Sequence, residues 1–157
     1  MKKILLALMA IFTFGLQNGT AQEKPIKIAT GNPDLKVQVK RCIASGDQVF
    51  IDITFMDEID DIKASILCEG WSEVHDSEGN TYNGYPKLYI KFGSNEEFTP
   101  YGRDFNLSSG VPSKVYFKLK DVPESVEYLA IMKIRIDSKK YGAPHYVTIK
   151  NIPIIRD

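Results

Sequence analysis

Hydrophobic residues recur along this chain with a period of two, the spacing of a β-strand that buries one face. Leu35, Val37 and Val39 alternate with Lys36, Gln38 and Lys40. After the turn residues Ser45, Gly46 and Asp47, Val49, Ile51, Ile53 and Phe55 share one face while Asp52 and Thr54 take the other. The pair predicts a hairpin with one side in a core. Strand parity sets Cys42 on the face opposite Val37 and Val39. Ile62, Ala64 and Ile66 form the next alternating run and lead to Gly70 and Trp71. Residues 75–82 read as a second hairpin, turning at Gly79 and Asn80, which tolerate positive φ. Leu88, Ile90 and Phe92 then oppose Lys87, Tyr89 and Lys91, and Val115, Phe117 and Leu119 follow Gly110-Val111-Pro112. The longest run, 126–137, puts Val126, Tyr128, Ala130, Met132, Ile134 and Ile136 inward, and Leu129, Ile131, Lys133 and Arg135 outward. Val147 and Ile149 open a closing strand that ends at Asn151-Ile152-Pro153-Ile154. Residues 93–110, with Gly93, Pro100, Gly102 and Gly110, read as a long loop holding at most one short strand near Phe105 and Leu107.

No long stretch repeats every 3.6 residues, so the expected class is all-β. Short strands separated by turn signals predict an antiparallel β-sandwich of about seven to nine strands rather than an α/β fold. The order Val-x-Val, Cys42, Ser-Gly-x-x-Val-x-Ile-x-Ile, Asp-x-x-Gly79-Asn80-x-Tyr82, Gly110-Val111-Pro112-x-Lys114-Val115 and the final Asn-Ile-Pro-Ile carries a resemblance. It is similar to small secreted immunoglobulin-like β-sandwich proteins of Bacteroidetes, a group largely without assigned function. The resemblance covers most of residues 35–155 and implies an immunoglobulin-like sandwich. Its motifs are strands and turns, so it carries over no catalytic residue.

The start of the chain changes the picture of where such a domain works. Lys2 and Lys3, the apolar run from Ile4 to Leu16, and Gly19-Thr20-Ala21 have the layout of a secretory signal peptide cleaved near Ala21. The run is shorter than the roughly 20 residues of a permanent span. The expected organisation is a signal peptide at 1–21, an N-terminal extension at 22–34 and one sandwich domain at 35–157, exported to the periplasm or secreted. No second apolar segment predicts a transmembrane helix. The full chain balances 20 basic against 20 acidic residues. Losing Lys2 and Lys3 leaves a small acidic excess, which argues against a nucleic-acid binder.

Chemistry-bearing residues are sparse. In an oxidising compartment Cys42 and Cys68, the only cysteines, either form one disulfide or remain two thiols with at least one buried. There is no Gly-x-Ser-x-Gly elbow, His-Glu-x-x-His, phosphate loop or dinucleotide fingerprint, and His75 and His145 fall on separate elements. The expectation is a protein that is not an enzyme and needs no cofactor. Asp57, Glu58, Asp60 and Asp61 crowd one inter-strand loop, and Asp76, Glu78 and Asn80 alternate in another. Such hard oxygens suit calcium, although neither loop has the register of an EF-hand, and acidic loops are commonly just solvated.

The outward positions of the later strands offer a different surface. Tyr89 and Lys91, and Lys114, Tyr116, Lys118 and Lys120, alternate outward, and Lys133 and Arg135 join them if all these strands share a sheet. Tyrosine rings stack on sugars and lysines meet carboxylate or sulfate, while the same lysines also serve solubility. Trp71 is a further candidate sugar contact, or else a core or rim residue. The expected function is a non-catalytic binding module of the bacterial envelope, taking a glycan on Tyr89, Lys91, Tyr116 and Lys118 with Trp71. The alternative is a protein partner held through the 93–110 loop or an edge strand.

Overall fold

The computed structural model describes residues 24–94 and 96–156. The expected signal peptide at 1–21 and its expected cleavage position lie outside the described residues. Among the described residues eleven strands follow one another: β1 (Lys27–Ala29), β2 (Leu35–Ser45), β3 (Gln48–Asp57), β4 (Ile62–Leu67), β5 (Glu73–Asp76), β6 (Thr81–Tyr82), β7 (Leu88–Phe92), β8 (Arg103–Leu107), β9 (Ser113–Leu119), β10 (Tyr128–Ser138) and β11 (Tyr146–Pro153). They form two antiparallel sheets packed as a β-sandwich. One runs β2-β3-β9-β7; the other runs β1-β11-β10-β4-β8, with β5 also on β10 and β6 on β5. Among the described residues no helix is long and apolar enough to cross a membrane.

The strand total exceeds the sequence expectation for local reasons. β1 lies within the 22–34 stretch read as an extension and pairs with β11 at Lys27, Ile28 and Ala29. Its residues are exposed, so no alternation betrays it. β8 forms where Phe105 and Leu107 indicated a strand, and pairs along β4. β4 and β5 are one strand line, interrupted. Both pair with the same edge of β10, β4 from Ser138 to Arg135 and β5 from Lys133 to Leu129, and residues 68–72 loop out between them.

The inner faces hold one core. Ile51, Ile53, Phe55, Val115, Phe117, Leu88 and Ile90 from one sheet face Ala64, Ile66, Met132, Ile134, Ile136, Val147 and Ile149 from the other. Phe105 joins the layers, stacking on Phe92 at 5.0 Å between ring centres and edge-on to Phe55 at 6.3 Å. Each fully buried Val, Leu, Ile, Phe or Met side chain in this core contributes about 1.5–3 kcal/mol.

Two interruptions overturn parity expectations. The β2–β3 register slips between Val39 and Arg41. That bulge reverses the strand's faces, so Cys42 points into the same core that Val37 and Val39 pack against. The β10–β5 register slips between Leu129 and Ile131, and Asn151, on the neighbouring strand, has φ 59°. Leu129 is therefore fully buried, while Tyr128 and Ala130, expected inside, are only half-buried.

Cys42 and Cys68 are both buried free thiols, not a disulfide. They enter the core from different sheets, Cys42 on β2 and Cys68 just past β4. Burial pushes each thiol up to about 12, which suppresses thiolate chemistry.

Candidate functional site

β9 lies between β3 and β7, and the register of its two ladders assembles the candidate surface. Tyr89 sits opposite Lys118, and Lys91 opposite Tyr116. On the other side Phe50 faces Lys118 and Asp52 faces Tyr116. Ile51, Phe117 and Ile90 between them point into the core, so all six residues project from the outer face. Four of the five residues singled out from the sequence thus meet.

A residue without sequence signal completes this surface. Thr99 exchanges both backbone hydrogen bonds with Ile90, at 2.8 and 2.9 Å, adding a one-residue rung beside β7. Phe98, its neighbour, turns onto the outer face and meets Phe50 at 6.2 Å between ring centres. Lys118 Nζ lies 4.7 Å from the Phe98 ring centre and 5.0 Å from that of Tyr89. Lys91 Nζ lies 5.0 Å from Phe98 and 5.1 Å from Tyr116, and Lys120 Nζ lies 4.8 Å from Tyr89. Each ammonium rests on the negative face of a ring, an attraction of about 0.5–1 kcal/mol near a surface.

Among the described residues no carboxylate pairs with Lys91, Lys118 or Lys120, while Asp52 is held by Arg41 at 2.9 Å. Partial burial, and then the positive charges of Lys120 and Lys91, hold Lys118 below the ordinary lysine range. A depression of about 190 Å³ opens beside them, lined by Phe50, Asp52, Lys91, Phe98 and Tyr116 among others. Tyr89 is only 9% exposed, so its ring supports the lysines instead of standing open. The open ring at that end is Tyr85, 69% exposed and 6.4 Å edge-on to Tyr89.

Other candidates fall elsewhere. Lys133 and Arg135 belong to β10, in the other sheet, so the basic residues do not form one face. There Lys133 pairs with Glu73 at 3.2 Å and Arg135 with Asp137 at 2.7 Å. Trp71, at the tip of the 68–72 loop, also stands on that opposite side, over Arg135.

The acidic loop is internally neutralised. Asp57 is fully buried; its Oδ1 accepts from the backbone N–H of Ile59 and Asp60 and from Lys140 Nζ, and its Oδ2 from the Tyr141 hydroxyl. Burial alone would push this carboxyl up, but the hydrogen bonds of Asp60, Tyr141, Ile59 and Lys140 outweigh it and hold Asp57 well below the carboxylate range. Lys140 Nζ also pairs with Asp34 at 3.0 Å and Asp60 at 2.8 Å, and these carboxylates raise it above the lysine range, Asp60 foremost. The ammonium sits among these oxygens where a bound calcium would have to sit. Glu58 turns to Lys36 and Asp61 accepts from the Ser109 N–H, so the four acids do not converge. Among the described residues no three or more His, Cys, Asp or Glu side chains gather as a metal-binding group.

Asp76 has a similar structural duty. It is 3% exposed and accepts from Glu78 N, Asn80 N, Asn80 Nδ2 and the hydroxyl of fully buried Tyr82. Burial opposes ionisation, and these hydrogen bonds overcome it, leaving Asp76 lowered. The histidines stay apart: His145 Nε2 lies 2.7 Å from the Thr30 carbonyl oxygen, and His75 Nδ1 lies 3.0 Å from the Thr81 hydroxyl. Compared with known proteins, the chain matches no family model and no curated protein.

Proposed function

We propose that the protein is an exported, non-catalytic binding module that holds an acidic envelope glycan across the outer face of the four-stranded sheet. The observation that carries this reading is the trio Lys91, Lys118 and Lys120, poised on aromatic rings with no carboxylate partner among the described residues. Like charges held close repel one another, and a ligand bearing sulfate or carboxylate groups relieves that repulsion on binding. Tyr116, Phe98 and exposed Tyr85 add flat apolar surface against which sugar rings pack. The near-neutral chain favours a local anion contact over a long polyanion such as nucleic acid.

The test is a glycan array of the purified protein with acidic and neutral glycans, at low and physiological salt. Saturable binding to sulfated or uronate-containing glycans is expected, weakening as salt rises. Lys118→Ala or Tyr116→Ala should cost about tenfold in affinity, roughly 1.4 kcal/mol. An array blank for acidic glycans sinks the proposal. The second reading is then a protein partner at the 93–110 segment, where Tyr101 is 62% exposed.

A further inference from the structure

On the opposite sheet, Trp71 forms a platform that the lysine face does not explain. The 68–72 loop is fastened at both ends. Trp71 N and Ser72 N donate to the Cys68 carbonyl at 3.2 and 3.1 Å, and Gly70 takes φ 70° to make the turn. Ser72, 1% exposed, donates its hydroxyl to the Leu67 carbonyl and accepts from Arg135 N at 3.0 Å. Beneath the indole lies the Arg135 guanidinium, 4.2 Å from the ring centre. Asp137 grips that guanidinium from the side, with contacts of 3.1 and 3.0 Å to Nε and 2.7 Å to Nη2. The guanidinium is thus oriented, and its flat face supports the indole from below.

The indole nevertheless remains 54% exposed, an unusual state for the largest apolar side chain. Polar side chains occupy nearby positions on the same sheet. Glu73 follows two residues later and pairs with Lys133, and Tyr146, 39% exposed, is the cross-strand neighbour of Arg135. A flat, solvent-facing ring backed by a held guanidinium, with polar side chains on adjoining strands, matches one chemistry well. A neutral pyranose presents an apolar C–H face to the ring and hydroxyls to its rim. Arg135 and Lys133 are already paired with carboxylates, so nothing here calls for an anion.

We infer that Trp71, supported by Arg135, is a second glycan site, specific for the C–H face of a neutral pyranose and independent of the lysine face. Because Trp71 is the sole tryptophan, its emission reports the site directly. The experiment titrates the purified protein with neutral hexasaccharides of β-linked glucose, galactose, xylose or N-acetylglucosamine, following tryptophan emission and, in parallel, calorimetry. A saturable emission change with at least one of them is expected, unaffected by salt and retained in Lys118→Ala. Trp71→Ala should abolish the calorimetric signal, and Trp71→Phe should weaken it several-fold while keeping it measurable. No emission change with any of the four, or equal affinity in Trp71→Ala, overturns the inference. Binding confined to acidic glycans and lost only in Lys118→Ala also overturns it, while leaving the lysine face standing.

Discussion

Asp57 shows how much one side chain decides in this protein. A carboxylate buried without partners would be strongly destabilising. Asp57 instead gathers two backbone N–H groups, the Tyr141 hydroxyl and Lys140, and so ties the β3 end to the segment after β10. The sign of its titration follows. Folding lowers the carboxyl of Asp57, and likewise that of Asp76, below the unfolded value of about 3.9. Their contribution to stability is therefore complete well above that value and is lost as pH falls through it toward the folded values. Melting temperature should decline steeply below about pH 4. Asp57→Asn should lower Tm at neutral pH by about 5 °C and flatten the acid limb. An acid limb as steep as the parent's would show that other carboxylates govern it. From the sequence, Asp57, Glu58, Asp60 and Asp61 were alike; the lysine that separates their roles lies 83 residues from Asp57 and belongs to no local pattern.

At the scale of elements, the interruptions matter more than the regular strands. Alternation identified β2, β3, β4, β7, β9, β10 and β11 because apolar residues recur at every second position over much of each. It misassigned Cys42 and Leu129, since a bulge reverses the faces of everything beyond it and leaves no mark in the hydrophobic pattern. The loop-out between β4 and β5 is such an interruption put to use, for it lifts Trp71 above the sheet. Ser72 closes it with two partly buried hydrogen bonds. Ser72→Ala should destabilise the protein by about 1–2 kcal/mol in urea unfolding. It should also lower the fluorescence anisotropy of Trp71; unchanged anisotropy would mean that Arg135 alone positions the ring. Phe98 belongs to the same class of hidden residue, because a single rung at Thr99 brings it to the face.

The whole molecule is closed by its last residues. After β11 the chain leaves the seven-stranded sheet and reaches β2, where Ala44 N donates to the Ile155 carbonyl and Ile155 N to the Cys42 carbonyl, each at 2.9 Å. Arg156 Nη2 then donates to the carbonyls of Pro123 and Val126. The C-terminal segment thereby links one sheet to the edge of the other. Ending the chain after Pro153 should cost about 1–3 kcal/mol, read as an earlier urea midpoint with a similar slope. A midpoint unchanged by the truncation would show that the core alone holds the layers together. The same scale separates the two candidate surfaces: the lysines of β7 and β9 and the tryptophan beyond β4 lie on opposite outer faces.

By itself the sequence determined the all-β class, most of the strands and the outward rows of Tyr89, Lys91, Tyr116 and Lys118. These follow from a period-two pattern that is local, since successive side chains of a strand point to opposite faces whatever layer the strand packs against. Only the tertiary structure decided which rows share a sheet, which carboxylates Lys140 neutralises, and that Trp71 stands apart from the lysines. Those outcomes depend on strand order, bulges and side chains that meet across dozens of residues. No spacing along a single chain encodes such meetings; they are fixed when the two layers pack.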